Sequence, residues 1–276
     1  MRRYVNENAW HGPRPLPNPL DVPRLGEIYS RTAAFYDGVV AERQAGPKLE
    51  ALRRLSRLPG ERFLEVGAGT GWAFARLIAA SGRQGAYALD VAAGMLEVAR
   101  QRLAGLASEA PTLHSEPVQG PEAPATANEV PSPSRERVRV RGAFVPPPAP
   151  RESIALPLLL ADARNLPFTE AAFDCLLITY TFEVLPMPDI APVLDECLRV
   201  LKPGGRIAVV NLTEGEGAGA AMTDDWKRRY QDDPEYFGGA RPLQLRAMLE
   251  ARGFAGVSRT YVGPSWPSEV LLALRP

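Results

Sequence analysis

The stretch Glu65-Val66-Gly67-Ala68-Gly69-Thr70-Gly71 constrains this chain more than any other. A short apolar strand, Arg62 to Val66, runs into three glycines at alternate positions, and a helical pattern from Trp72 to Ala80 follows. Glycine there lets the main chain turn sharply and approach a ligand with no Cβ in the way. In an open parallel sheet this turn lies at the carboxyl ends of the strands, where ligands bind. A turn that needs glycine for geometry alone is the plainer alternative. The second strand, Ala86 to Asp90, ends in a carboxylate nineteen residues after Gly71. Asp90 can accept both hydroxyls of a ribose from that place. It can also cap the following helix, and the two uses are compatible.

The alternation of strand and helix continues along the chain. A helix through Met95, Ala99 and Leu103 follows Asp90, and further strands are expected at Leu156–Ala161, Phe173–Thr179 and Arg206–Leu212. Pro192 to Leu201 reads as a helix that Lys202-Pro203-Gly204-Gly205 stops. Pro242 to Ala251 reads as another, before strands near Val257–Val262 and Ser268–Leu274. Short, continuously apolar strands between helices belong to a parallel sheet covered on both faces. The expected fold is α/β: a doubly wound, Rossmann-like, seven-stranded, mostly parallel sheet. Two helices precede it, one from Leu25 broken at Asp37-Gly38, the next from Val39 and stopped at Pro59-Gly60. Residues 1–24 read as an irregular, proline-rich leader.

Proline usage locates one addition. Residues 107–150 hold ten of the 28 prolines, and such a stretch buries little apolar area to offset its ordering entropy. Residues 107–153 are therefore expected to form a disordered or loosely attached insertion. Arg137-Val138-Arg139-Val140-Arg141 alternates with strand period and is either a docked edge strand or a solvated face. The 32 basic and 32 acidic residues cancel, which argues against a nucleic-acid or anionic-lipid binder working through a global basic field. Cys175 and Cys197 form no framework or paired metal site, and no metal is expected. The N-terminus lacks the apolar region of a signal peptide, and no run approaches the roughly 18 apolar residues that span a bilayer. A cytoplasmic protein is the expectation.

The glycine spacing and its charge choose among nucleotide ligands. A dinucleotide fingerprint has G-x-G-x-x-G and turns a helix N-terminus toward a pyrophosphate. Here the spacing is G-x-G-x-G, with Glu65 two residues ahead of Gly67. An acid at that point suits a cationic, amino-bearing ligand and opposes a diphosphate. S-adenosylmethionine carries both a sulfonium and an ammonium.

With those residues in place, the chain resembles the class I S-adenosylmethionine-dependent methyltransferases, closest to the branch of menaquinone/ubiquinone C-methyltransferases and related small-molecule and phospholipid N-methyltransferases. The resemblance rests on Leu64–Gly71 (LEVGAGTG), Leu89–Arg100 (LDVAAGMLEVAR), Asp162–Asp174 (DARNLPFTEAAFD) and Cys197–Gly205 (CLRVLKPGG). It covers residues 25–106 and 154–276, the expected methyltransferase domain. It implies that Gly67, Ala68, Gly69 and Gly71 line the methionine part of the cofactor, with Glu65 holding its amino group. Asp90 and the adjoining Val91 would meet the ribose, Met95 the adenine edge, and Asp162 with Ala163 the adenine amino group and ring. Thr179 would sit beside the methionine part, and Tyr36 would close over the cofactor. Core packing remains an alternative for Met95, and helix-to-sheet packing for Tyr36.

Methyl transfer is an in-line displacement that needs alignment and a dry pocket, and a base only when the acceptor must lose a proton. His11 and His114 fall in the leader and the insertion and receive no role. Tyr36, Asp37, Tyr180 and Glu183 are the candidates near the expected pocket. The aromatic pair in Tyr180-Thr181-Phe182-Glu183 suggests a flat or apolar acceptor: a quinol, phenol or amine, small or lipid-like. The segment from Trp226 through Tyr230, Tyr236-Phe237 and Arg241 is expected to lid that site. Two other readings stand: a non-catalytic S-adenosylmethionine-binding partner protein, and an NAD(P)-dependent oxidoreductase.

Overall fold

Strand β1 (Phe63–Val66) pairs in parallel with both β2 (Ala86–Asp90) and β4 (Phe173–Thr179), so it lies at the centre of the sheet. The computed structural model describes residues 15–108, 157–263 and 265–276. The bulk of the expected insertion, the Arg137–Arg141 alternation, His11 and His114 lie outside them. β3 (Leu158–Leu160) flanks β2, and β5 (Leu201–Leu212) flanks β4, both in parallel. β6 (Ala255–Val262) and β7 (Ser268–Leu274) complete seven strands in the order β3-β2-β1-β4-β5-β7-β6, with β7 antiparallel to β5 and β6. This is the doubly wound, mostly parallel sheet that the sequence predicts. Strand order reverses between β1 and β4, the place where such sheets open a ligand crevice.

The two faces of the sheet are sorted by the period of two along each strand. Leu64, Val66, Leu176, Ile178, Ile207 and Val209 bury one face together with Ile190, Val193 and Leu194 of helix α4 (Met187–Val200). Phe63, Cys175, Leu177, Ala208 and Val210 bury the other. There they meet Ala51 and Leu55 of α1 (Val22–Leu55) and Ala73 and Phe74 of α2 (Trp72–Ser81). Glu65 therefore points to the α1–α2 side from the middle of the sheet.

α1 is one helix of 34 residues, not the expected pair. It begins earlier as well: the Asp21 side chain accepts the Arg24 amide at 2.9 Å, and Pro23 occupies the first turn. A glycine inside a helix costs about 1 kcal/mol, and here packing on either side of Gly38 outweighs it. Asp37 is bound to Thr70 and Arg102, while Ala33 is buried against α3 (Ala93–Ser108). The two helices touch at Gly94, where a Cβ would lie 2.4 Å from the Ser30 carbonyl oxygen.

Other boundaries move for local reasons. Residues 15–21 carry no helix or strand, yet they are docked: Asn18 donates to the Val184 carbonyl at 2.5 Å and Tyr230 to the Pro17 carbonyl at 3.2 Å. The irregular leader thus ends at Asp21, not at residue 24. α3 runs to Ser108 and takes the first two residues assigned to the insertion. α4 starts at Met187 because Pro188, not Pro192, occupies its first turn. Lys202-Pro203-Gly204-Gly205 does follow the helix end, but β5 already starts at Leu201 and absorbs the four residues as a bulge opposite Asp174. α6 is only Arg246–Ala251, since the Leu243 amide bonds Leu212 and the Leu245 amide bonds Glu269. α5 (Ala220–Asp232) was not expected: only Thr223 and Tyr230 are buried along it, too few for an apolar period.

Candidate functional site

At the reversal of strand order the sheet opens into a cleft roofed by α1 and α3. Its floor is the turn after β1. Gly67 and Gly69 both take the left-handed backbone region, at φ 69° and 55°. A Cβ on Gly67 would lie 2.2 Å from Thr181 Oγ1, so only glycine lets the turn close against the end of β4. At Gly69 a Cβ would meet nothing within 4 Å, because that side faces the open cleft. Gly71 serves another purpose: its Cβ would press on Ala99 Cβ at 2.9 Å, so it seats α2 on α3 and does not line the cleft.

Asp90 locks this turn. One carboxylate oxygen accepts the Gly69 amide and the other the Ala92 amide, each at 2.8 Å. Burial raises its carboxyl pKa, against the pull of those amides. Each oxygen keeps a free lone pair, so capping and ligand binding are compatible, as the sequence suggested.

Glu65 is fully buried and neither of its oxygens has a hydrogen-bond partner among the described residues. The Phe74 amide in the first turn of α2 faces it without closing a hydrogen bond. Burial pushes its carboxyl to about 8, partly opposed by Lys48, which comes from α1 into the cleft. An unpaired buried carboxylate is costly. A carboxyl raised this far is largely protonated at neutral pH, and a cation brought beside it would favour its charged form.

The remaining wall divides by chemistry. Val91 and Met95 line the cleft beside β2, Met95 packing with Ala33 and Ala92 and against Tyr29 and Tyr36. Met95 is therefore both wall and core filler. Asp162 and Ala163 line the far end after β3. Arg164 holds the Asp162 carboxylate through Nε and Nη2, and this outweighs burial and keeps its pKa below the ordinary value. Thr179, Tyr180 and Thr181 close the β4 side. Tyr180 has a left-handed backbone, φ 54°, unusual for an aromatic residue. Its hydroxyl is paired with Ser268 Oγ at 2.8 Å.

A family model described as a methyltransferase domain matches residues 125–209. The malonyl-(acyl-carrier protein) O-methyltransferase of Methylococcus capsulatus is 28% identical over 78% of this chain and 62% of its own length. The demethylmenaquinone methyltransferase of Clavibacter sepedonicus is 32% identical over 59% and 45%. The chain thus spans less than two thirds of either relative. Among solved structures, a possible histamine N-methyltransferase of Thermotoga maritima superposes with a TM-score of 0.54 at 18% identity, covering 91% of this chain and all of that one. The cyclase SpnF gives 0.62 at 17% identity, covering 96% and 99%.

The chain has the class I S-adenosylmethionine-dependent methyltransferase fold.

Within this methyltransferase fold, Tyr36, Gly67, Ala68, Gly69, Asp90, Val91, Met95, Asp162, Ala163, Thr179 and Tyr180 converge on one cleft. Glu65, Gly71 and Glu183 do not line it. Glu183 is buried behind it, one oxygen accepting the Leu212 amide at 3.4 Å, and burial pushes its carboxyl to about 8. Asp37 is committed to Thr70 Oγ1 at 2.8 Å and to Arg102, which also bonds the Thr70 carbonyl. This latch fastens α1 to the glycine turn. Burial raises the Tyr36 and Tyr180 phenols well above their ordinary value, so both stay protonated and neither is ionised to act as a base.

The segment expected to lid the site braces it instead. Trp226 packs on Trp266 and Phe237 and donates to the Ala240 carbonyl at 2.8 Å. Arg241 binds the carbonyls of Leu16, Glu183 and Leu185. None of these residues lines the cleft. Sequence reasoning missed Lys48, Tyr29 and Thr181. For Lys48 a signal exists: Gln44, Ala51 and Leu55, at i−4, i+3 and i+7, are all buried, so the lysine lies on the inward stripe of its helix.

Proposed function

We propose that this chain is a methyltransferase that binds S-adenosylmethionine and methylates a small or lipid-like acceptor, a quinol, phenol or amine. The observation that carries the reading is Glu65, a buried carboxylate without a hydrogen-bond partner behind a glycine turn already locked by Asp90. The pair suits an amino group and a ribose, and a buried acid behind the turn does nothing to favour an NAD(P) pyrophosphate. Gly67, Ala68, Gly69 and Thr179 would hold the methionine part, Asp90 and Val91 the ribose, and Met95, Asp162 and Ala163 the adenine.

When bound, the cofactor supplies an already activated methyl group. The protein's own share is alignment and exclusion of water. Tyr29, Tyr36, Tyr180, Val184 and Leu185 give the cleft an aromatic and aliphatic side that favours a flat acceptor. This agrees with the quinone substrate in the name of one relative, while the other is named for an acyl-carrier protein. Tyr36 and Tyr180 would orient the acceptor, since burial disfavours their phenolates. Glu183 would act only through the residues in front of it.

Turnover of methyl-labelled S-adenosylmethionine against quinols, phenols and amines tests the reading, alongside calorimetry with S-adenosylhomocysteine and NADH. Transfer to one acceptor class is the expected result. Tight S-adenosylhomocysteine binding with no turnover across the panel would favour a non-catalytic binding protein, and NADH binding alone an oxidoreductase. Asp90→Ala is expected to weaken S-adenosylhomocysteine by about 1–3 kcal/mol, at least about fivefold. Unchanged affinity in that titration would remove Asp90 from the site.

A further inference from the structure

Lys48 enters the cleft from α1 and lines it together with Tyr36, Tyr180 and Thr181. Among the described residues its amine makes neither an ion pair nor a hydrogen bond. Its Nζ lies 5.5 Å from the centre of the Tyr180 ring and 5.8 Å from that of Trp72. Tyr180 belongs to the aromatic side assigned above to the acceptor, so the amine stands beside the place where the acceptor would lie. Charges act on it from the elements packed around it. Glu65 on β1, Asp37 on α1 and Glu183 after β4 attract it, and Arg102 on α3 repels it. On α2, Arg76 lies over the same Trp72 ring at 3.6 Å. Burial outweighs the attraction and lowers the Lys48 ammonium to about 8.

The other titratable side chains that line the cleft are committed or protonated. Asp90 is held by the Gly69 and Ala92 amides, and Asp162 by Arg164. Burial keeps the phenols of Tyr29, Tyr36 and Tyr180 un-ionised. Among the described lining residues this leaves Lys48 free to exchange a proton with a bound molecule. We propose that Lys48 is the general base of the methyl transfer and that the acceptor is a phenol, which it deprotonates at the hydroxyl oxygen. The proposal rests on the methyltransferase reading above. An amine attacks with its own lone pair and needs no base beforehand, and its protonated form is repelled by a lysine cation, whereas a phenol is a weak nucleophile until it ionises. The neutral Lys48 amine takes the hydroxyl proton, and the O–H electron pair stays on oxygen. That oxygen forms the bond to the methyl carbon while the carbon–sulfur pair passes to sulfur. A methyl ether and S-adenosylhomocysteine result, and the new ammonium returns its proton to water once the products leave. Lysine suits the task because burial shifts its pKa readily and its flexible stem can follow the oxygen.

Transfer rates on the full chain with phenols of graded acidity, from para-methoxyphenol to para-nitrophenol, test this, alongside calorimetry with S-adenosylhomocysteine. For para-methoxyphenol, kcat/KM is expected to rise with pH through about 8, as the lysine loses its proton. Lys48→Met should abolish that limb and slow the reaction at least about a hundredfold, the scale of general-base catalysis. Transfer to para-nitrophenol, largely ionised before it binds, should fall by less than about tenfold. Lys48→Arg keeps the charge but does not give up its proton. It should be as slow as the methionine variant, and it carries the test should that variant melt early. Both variants should bind S-adenosylhomocysteine within about twofold of the parent. An active arginine variant, an equal loss across all the phenols, or S-adenosylhomocysteine weakened at least about tenfold would each overturn the proposal. So would a parent chain that methylates amines and no phenol. A parent chain that fails to bind S-adenosylhomocysteine would overturn the cofactor reading itself and this proposal with it.

Discussion

Arg241→Met is expected to lower the stability of the fold by about 3 kcal/mol, read from urea unfolding. Arg241 is fully buried, and its guanidinium donates to Leu16 O at 2.6 Å, Glu183 O at 2.7 Å and Leu185 O at 2.8 Å. Methionine fills much of the volume and satisfies none of the three carbonyls. Each buried orphan costs about 1–3 kcal/mol, offset in part by no longer burying a charge. Val184 and Leu185 belong to the cleft wall, so ligand affinity should fall with stability. A variant within about 0.5 kcal/mol of the parent would mean that water replaces the guanidinium.

Glu183→Gln should instead make the protein more stable, by a margin that grows as pH rises from about 4.5 to about 8 and is full above that. Burial raises the Glu183 carboxyl from 4.5 to about 8, against the Leu212 amide, Arg241 and Lys48. The folded chain therefore keeps a proton that the unfolded chain releases above its own pKa. The stabilisation from that proton is full below about 4.5 and is lost as pH rises through about 8. Glutamine keeps the neutral form throughout. At one pKa unit to about 1.4 kcal/mol, the variant should exceed the parent by roughly 2–4 kcal/mol near pH 9 and match it near pH 5. Comparing the two proteins largely cancels the titrations of Glu65 and Lys48. Identical pH profiles would show that the carboxyl reaches solvent, which would return Glu183 to the set of acid–base candidates.

Both effects depend on residues whose importance is unequally visible in the chain. The parallel sheet is legible because β2, β4 and β7 are apolar runs bounded by turn residues, and their ends match the expected ones. The glycine turn and Asp90 are legible because a backbone in close approach to a ligand leaves a fixed pattern of small residues. α1 was misread at Asp37-Gly38 since propensity is local, whereas the latch to Thr70 and Arg102 joins residues far apart in the chain. α5 and the docking of residues 16–18 were missed for a related reason. A polar helix with two buried residues leaves no periodic trace, and Leu16 and Pro17 are held through their carbonyls, which have no side-chain signature. Lys48 was overlooked because a lysine next to Pro47 reads as surface until its buried neighbours four before and three after are considered.

The two amides held by Asp90 have a kinetic consequence. Because Gly69 and Ala92 are already tethered, the proposed seat for a nucleoside would be assembled before any encounter. Little chain entropy remains to be surrendered on association. Residence time should then be governed by how α1 and α3 part above the seat, with loop ordering contributing little, and cofactor and demethylated product should arrive at comparable speeds and differ mainly in how long they stay.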